Sequence, residues 1–539
     1  VLGDDLFANA MKNYFNQWQF CHPYFNDFRN SIIQYTKVDL NWFFDQWLET
    51  DKRIDYAIGQ VRKSTEKGKY LVRLKRKGGM QMPIDLRITD QNDSTHNFHI
   101  ANTWFVKKSN ATVLPKWIGF GNLNRTHEVE VNIPAGIKRV VIDPSFRLAD
   151  IYMLDNTSAA PLEFEFDHQV RNRPDWRKYE IAARPDIWYN GFDGFKFGVH
   201  VNGGHFNTNH VFNAYIWANS GLAQWDVPTG VELDEFMPIS MRFSYRTSLS
   251  RYWKNSQVDV SGRILDGLYN YEVGFSKKNK TRHTTYRIYF KSLYRDSQRD
   301  IAYLLNRSTW NSAMWNNSFN ASVKHTYLYR GGTGLLNVGL RSSSLGSDYD
   351  YHHLSLEAIN HSNLWKLKLN TRFFAQLGTG SNWAPESSLY LDGANPEELM
   401  DNKYMRSAGI FPTEWATYQE VSNHLHYGGG LNLRGYVGYT APEDVDGDAV
   451  LTFGGNSGAS INAELEFDEI FGLAPGFTRK WLDIDLYLFG DVGFISSNSS
   501  GEKLTFATPR ADAGLGATIT IKKWGSLQKV KPLTVRFDM

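Results

Sequence analysis

The sequence predicts a mainly β protein: a transmembrane antiparallel β-barrel of about sixteen strands, preceded by a small β-sandwich and a short helical segment. Three observations predict it. Aromatic residues make up 15% of the 539 residues, yet mean hydropathy is −0.45. A chain that is polar on average but crowded with rings is what alternating strands and two aromatic belts produce. Period-two alternation runs over about 375 residues of the C-terminal part, far beyond one soluble sandwich and without a convincing amphipathic helix. No apolar run approaches the roughly 18 residues that a membrane-crossing helix needs.

Composition excludes several classes. With 59 Lys plus Arg against 57 Asp plus Glu, a net charge of +2 and both signs scattered throughout, there is no electrostatic footprint for nucleic acid. Cys21 alone can form neither a disulfide framework nor a thiolate metal cage. A hydrophobic share of 42%, with 17 Trp, 28 Tyr and 34 Phe, is too rich for a disordered chain. No signal-peptide pattern precedes Val1, and Lys531 to Met539 stops inside an alternating pattern, so both ends read as cut from a longer chain.

Taken in order, residues 1–62 read as helical. Asp4 or Asp5 can cap a segment in which Leu6, Phe7, Ala10, Met11, Tyr14 and Phe15 share a face, until His22-Pro23 breaks it. Phe25, Phe28, Ile32 and Ile33 suggest a second helix, and Leu40, Trp42, Phe43, Phe44, Trp47 and Leu48 a third, with these rings assigned to the core. Residues 63–162 change to short alternating runs such as Tyr70 to Leu74, Ile84 to Ile88, Val129 to Val131 and Val140 to Ile142, which suggests the sandwich, with Asn156 to Pro161 as a linker.

Residues 163–539 read as the barrel. Ile239, Met241, Phe243 and Tyr245 alternate with Ser240, Arg242, Ser244 and Arg246, and Trp365, Leu367 and Leu369 with Lys366, Lys368 and Asn370. Leu482 to Leu488 sets apolar residues against Asp483, Asp485, Tyr487, Phe489 and Asp491, and Ala511 to Ile519 repeats the pattern. A sheet crossing lipid must close, because unpaired backbone groups there have no partner. About eleven strand-like runs lie between 181 and 378, one near 457 to 467 and three more before the end, which suits an even-numbered barrel of 14 to 16 strands.

Two family resemblances cover most of the chain. Leu2-Gly3-Asp4-Asp5-Leu6-Phe7, His22-Pro23, Asp27-Phe28, Leu40 to Leu48 and Asp55-Tyr56, followed by Gly79, Met80, Pro83, Ile84, Asp143-Pro144 and Asp150, resemble the tail of the catalytic domain and the following β-sandwich of gluzincin zinc aminopeptidases of the aminopeptidase N kind. That family's HExxH motif and downstream Glu, which hold zinc and activate its water, precede the Leu-Gly-Asp-Asp-Leu-Phe stretch. No HExxH occurs here, since His127-Glu128 is followed by Val129, Glu130 and Val131. No catalytic or metal residue is therefore assigned, and zinc is expected only in a missing N-terminal part. His352-His353 and His424 with His426 read as loop or strand-surface histidines rather than ligands.

The second resemblance rests on Gly428 to Tyr436, whose Leu433-Arg434-Gly435-Tyr436 is similar to the (Val/Leu)-Arg-Gly-(Phe/Tyr) motif of BamA-like surface-antigen outer-membrane barrels, with Asn462 to Phe467, Phe489 to Gly493, Gly514 to Gly516 and Pro532 to Met539 following in register. Alternation alone places Asn462, Glu464 and Glu466 on one polar face and Asp491 on the next, where carboxylates away from bulk water need a donor such as the five-donor fork of Arg434. The resemblance implies that a loop folded into the lumen pairs Arg434 with Glu464 and Asp491, making Arg434, Gly435, Tyr436, Glu464 and Asp491 a structural latch. A solvated arginine at a loop tip is the other reading. The family usually has sixteen strands, so one closing strand is expected beyond Met539.

The functional expectation is an outer-membrane-anchored, metallopeptidase-like protein of a Gram-negative bacterium. Zinc-dependent aminopeptidase chemistry would lie upstream and the barrel would act as anchor or translocator. The alternatives are an outer-membrane assembly or secretion factor carrying an inert peptidase-like module, and a plain anchor or porin. Expected partners are membrane lipid, a peptide substrate and other outer-membrane or periplasmic proteins, with no nucleic acid.

Overall fold

A computed structural model describes residues 1–539 except 120, 169–173, 191–193, 207, 224–236, 266, 297–309, 392–394, 400–428, 437–440, 446–447, 453, 468–469, 471–479, 497–507 and 523–532. His424, His426, Gly428 and Pro532 lie outside the described residues. The chain divides into two units, Val1–Glu163 with Pro174–Glu180, and Phe164–Arg173 with Ile181–Met539.

The first unit opens with α1 (Asp4–Trp18), α2 (Phe25–Thr36) and α3 (Asn41–Leu48). The residue at the α1 cap is Gly3, not Asp4 or Asp5; Asp4 stands in the first turn, where a carboxylate suits the amide end of the helix, and pairs with Arg147. Ala10, Ile32, Leu40 and Phe44 are buried together, with Leu6, Met11, Tyr14 and Phe28 against them. Phe7, Phe15, Phe25, Trp47 and Leu48 are exposed, which corrects the assignment of every helically spaced ring to the core. Three short helices offer only one shared inner stripe, and these side chains point away from it.

The strands β1 (Tyr56–Lys63), β2 (Lys69–Arg76), β3 (Ile84–Asp90), β4 (Thr95–Ile100), β5 (Thr112–Leu114), β6 (Thr126–Asn132) and β7 (Ile137–Ile142) form two sheets, β1-β2-β6 and β5-β4-β3-β7. Val72, Leu74, Val129 and Val131 of one sheet and Ile84, Leu86, Ile88, Val140 and Ile142 of the other share one core. Alternation thus gives each sheet one apolar face, and the two faces meet as in a sandwich. The presumed linker begins inside this unit, since Asn156 is buried and Ser158 N–H donates to Val140.

Two carboxylates give this unit opposite pH responses. Burial pushes Asp150 up to about 6, against hydrogen bonds from the amides of Tyr56 and Tyr152. Burial also raises Asp85, but hydrogen bonds from His99 at 2.8 Å and Lys107 at 2.5 Å outweigh it and hold Asp85 at about 2. Asp150 binds its proton more tightly folded than unfolded, so its contribution is present at low pH and is lost as pH rises from 3.8 through about 6. Asp85 stabilises above 3.8, and its contribution is lost as pH falls toward about 2. Asp150→Asn is expected to flatten the decline in the unit's urea midpoint, followed by tryptophan fluorescence, between those first two pH values. An unchanged slope would refute the assignment.

The large sheet, which lies in the second unit apart from the first two residues of β8 and of β9, begins with β8 (Leu162–Phe166), β9 (Tyr179–Asn190), β10 (Gly194–His205), β11 (Asn209–Asn219), β12 (Ile239–Ser248), β13 (Ser256–Leu265), β14 (Leu268–Asn279) and β15 (Thr284–Arg295). The chain continues with β16 (Trp315–Tyr329), β17 (Gly332–Ser343), β18 (Asp350–Leu364), β19 (Leu367–Asn382), the small pair β20 (Ala441–Val445) and β21 (Asp448–Thr452), then β22 (Ser457–Glu466), β23 (Leu482–Ser496), β24 (Arg510–Ile521) and β25 (Leu533–Asp538). Apart from β20 and β21 these make one sixteen-stranded sheet in chain order, antiparallel at every ladder from β10 onward.

The eleven runs expected between residues 181 and 378 are β9 to β19; among the described residues β8, just after the expected linker, joins the sheet beside β9 and makes twelve strands of this sheet ahead of the Arg434 segment. The sixteenth strand expected beyond Met539 is thus not needed to reach sixteen. Trp365-Lys366 is the turn between β18 and β19, with Trp365 at φ 63°, rather than the start of a strand.

The sheet is inverted relative to a soluble protein. Phe197, Val199, Ile216, Phe243, Phe319, Leu340, Leu377 and Leu488 are exposed, whereas Lys196, Ser240, Asn316, Ser318, Arg341, Gln376 and Asp491 are buried. Lys196 and Ser240 are 0% exposed while Phe243 is 43% exposed. Apolar side chains outward and polar ones inward is the arrangement that lipid selects. Phe243→Arg is therefore expected to destabilise the bilayer-inserted protein by up to ~4 kcal/mol, read from urea titration in vesicles. Equal stability of variant and wild type would argue against a lipid-facing Phe243.

Candidate functional site

The long connection from β19 to β22, residues 383–456, supplies the polar site inside this sheet. Arg434 arrives on a tight segment in which Asn432 has φ 55° and Tyr436 N–H donates to Leu433 at 3.2 Å. Arg434 Nε donates to Asp491 Oδ2 at 2.7 Å, Nη2 to Asp491 Oδ1 at 2.6 Å and Nη1 to Glu464 Oε1 at 2.6 Å. The arginine side chain is 3% exposed, Asp491 0% and Glu464 22%. Its guanidinium carbon lies 4.1 Å from the centre of the Phe489 ring. A planar fork chelating one carboxylate and touching a second is the geometry that arginine supplies and lysine does not.

Strand register explains why these acids converge. Asn462 on β22, Asp491 on β23 and Asp512 on β24 are successive cross-strand partners. Asn462 Nδ2 donates to Asp491 Oδ1 at 3.1 Å and to Asn432 O at 2.9 Å. Gly435 N–H donates to Asp512 Oδ2 at 3.0 Å, so close that a Cβ on Gly435 would sit 2.7 Å from Asp512 Cβ. Tyr436 packs against a cluster of Leu389, Leu391, Leu431, Leu433 and Ile495. The structure thus brings Arg434 to Glu464 and Asp491 and sets Gly435 against Asp512 and Tyr436 on the leucine cluster beside them, and Arg434 is not a solvated loop tip.

Sequence reasoning missed a second cluster. Glu397, on the short helix α4 (Pro396–Leu399), has a side chain only 4% exposed. It accepts from Arg341 Nη1 at 2.9 and 3.1 Å, from Lys291 Nζ and from Ser387 Oγ at 2.7 Å. Asn316 Nδ2 donates to the neighbouring Glu386 at 2.7 Å. Alternation could have marked Lys291, Asn316 and Arg341 as inward, but nothing in the sequence pairs them with an acid in a long connection. A third tie is Arg372 on β19, whose Nη2 donates to Gly430 O at 3.0 Å. A cavity of about 690 Å³ lies among these groups, lined by Tyr289, Asn320, Arg341, Phe374, Glu397 and Asn432.

Among the described residues, no three His, Cys, Asp or Glu side chains converge as a metal site. His127 stacks on Trp117 at 5.3 Å and Glu128 pairs with Arg62 and Arg73, so this pair does not fit zinc. His352 contacts Ser342, while His353 sits beside Trp383.

No protein-family model matches the sequence, and no curated protein matches it. Among solved structures, the chain is similar to BamA from Haemophilus ducreyi lacking POTRA domains 1–3, at 11% identity, covering 67% of this chain and 66% of that one, with a TM-score of 0.36. It is similar to CdiB from Acinetobacter baumannii at 10% identity, 60% and 46% coverage and a TM-score of 0.25. A third is OccK10 (OpdN) of Pseudomonas aeruginosa, at 10% identity, 66% and 90% coverage and a TM-score of 0.27. The chain therefore spans just under two thirds of the BamA chain and under half of CdiB. The chain's own sheet, sixteen strands in chain order with polar side chains within and apolar ones without, has the arrangement of an outer-membrane-type β-barrel.

Proposed function

We propose that this chain is an outer-membrane anchor or translocator whose interior is occupied by part of the 383–456 connection, fastened by the Arg434 latch. The observation that carries the reading is the chelation of Asp491 by a nearly buried Arg434 inside an inverted sheet. Such a group is expensive to bury and serves to fix a segment in place rather than to catalyse. Heat-modifiable migration of the detergent-extracted protein, together with low conductance in planar bilayers, tests it. A soluble particle, or conductance like that of an open porin, would overturn it.

The finer reading is a metallopeptidase-like protein held at the membrane by this barrel, with zinc-dependent aminopeptidase chemistry upstream of Val1. The spaced residues of 1–162 that resemble gluzincin aminopeptidases support it. An intact HExxH with a downstream Glu in the parent polypeptide, and chelator-sensitive release of N-terminal residues from peptides, is the expected result; a degenerate motif would remove the enzymatic half.

A second reading, an assembly or secretion factor, draws on the ends of the sheet. Among the described residues β8 and β25 have 5 and 6 residues, against 10 to 16 in the other strands of the sheet. Short terminal strands hold their neighbours by few hydrogen bonds. Folding defects in other outer-membrane proteins on depletion would favour it.

A further inference from the structure

One carboxylate oxygen in the latch carries a second arginine. Glu464 Oε1 accepts from Arg434 Nη1 at 2.6 Å and also from Arg536 Nη2 at 2.5 Å. Arg536 belongs to β25, the last strand of the sheet, whereas Glu464 belongs to β22, so the contact reaches across β23 and β24. Two glycines open the way. On β24, a Cβ at Gly514 would sit 2.6 Å from the Phe489 ring and one at Gly516 2.2 Å from the Tyr487 ring, so each ring from β23 lies over the space its glycine leaves.

The two rings then seat the two arginines. Arg434 stands 4.1 Å above Phe489 and Arg536 4.7 Å above Tyr487, which brings both guanidinium groups to Glu464. Arg536 Nε is also held by Asp538 Oδ2 at 2.8 Å, and Tyr487 OH donates to the other Asp538 oxygen. The arrangement is a continuous chain, Asp491–Arg434–Glu464–Arg536–Asp538, running from the inward segment to the edge strand.

We propose that this chain makes the Arg434 segment and β25 one cooperative unit, with Glu464 as the hinge pin: loosening either end loosens the other. The proposal rests on the latch reading given above. The physical reason is that both arginines bond one Glu464 oxygen, so each holds the carboxylate where the other's fork meets it. Losing one arginine lets the carboxylate turn out of that position and weakens the bond that remains, and losing both leaves a charge in the interior without a partner. β24 itself contributes no side chain at positions 514 and 516, so the coupling passes over it rather than through it.

Hydrogen–deuterium exchange on the full chain in nanodiscs tests this, with protection read separately at 431–436 and 533–539. Arg536→Gln is expected to speed exchange about fivefold or more at 431–436, the lower end of the range for coupled sites. Glu464→Gln is expected to speed it at both segments. Glu397→Gln, which frees another part of the same connection, should leave 533–539 unchanged. Arg434→Lys separates the two readings. If it leaves 431–436 unchanged, the latch itself fails; if it speeds exchange at 431–436 but not at 533–539, the latch stands and the coupling fails. Acceleration confined to 533–539 in Arg536→Gln would also overturn the coupling. Should that variant not fold, Arg536→Lys, which keeps the charge without the fork, gives the same comparison at smaller amplitude.

Discussion

Arg434→Ala is expected to destabilise the folded barrel by about 3–5 kcal/mol, the usual consequence of removing one partner from a buried ionic set. The estimate follows from what remains. Asp491, with a side chain 0% exposed, would lose its chelating donor, and Glu464 would keep only Arg536. The hydrogen bond from Asn462 to Asp491 cannot neutralise the charge. Arg434→Lys should fall between wild type and alanine, because it restores charge but not the planar fork. Adding Asp491→Asn to Arg434→Ala should recover part of the loss by removing the orphaned charge, an effect a merely steric role would not produce. Thermal loss of the compact electrophoretic form in detergent measures all three. A wild-type transition in Arg434→Ala would show that the arginine fastens nothing.

The second large effect is expected at Glu397. Glu397→Ala leaves Arg341 and Lys291, with side chains 11% and 12% exposed, facing each other without their shared carboxylate, again at a cost of about 3–5 kcal/mol. Here the consequence is local as well as global, because Glu397 ties α4 to β15 and β17 from the opposite end of the connection to Arg434. Freed of that tie, α4 can leave the cavity it lines, so single-channel conductance should rise above wild type, while Lys291→Met, Arg341→Met and Glu397→Met together, an uncharged set of similar size, should restore both stability and low conductance. Unchanged conductance in Glu397→Ala would mean that α4 does not obstruct the interior.

Much of this architecture was legible in the residues. Alternation such as Ile239 to Arg246 and Leu482 to Asp491 has a period of two, and a period states which side chains share a face without needing the partner strand. Alternation put Glu464 and Asp491 on polar faces, but only the resemblance of Leu433 to Tyr436 to a known barrel motif implied that Arg434 pairs with them. The missed features are those in which a local signal competes with a distant one. Phe7, Phe15 and Trp47 have helical spacing, but a ring at the right interval packs only if another element lies on that side. β8 was missed although Leu162-Glu163-Phe164-Glu165-Phe166 alternates, because a run of five residues beside a turn-rich stretch does not show which strand it will pair with.

Spacing along the chain alone settles the alternation and the number of strands to within a few, whereas Arg434 was picked out by the resemblance its motif carries. Which charges meet on the inward face is set only by the folded sheet. Arg341 finds Glu397 fifty-six residues away, and Arg536 finds Glu464 seventy-two residues away across two strands. Electrostatic pairing acts through a few ångströms of space, and contacts of that kind are set by how the strands are laid side by side rather than by their order.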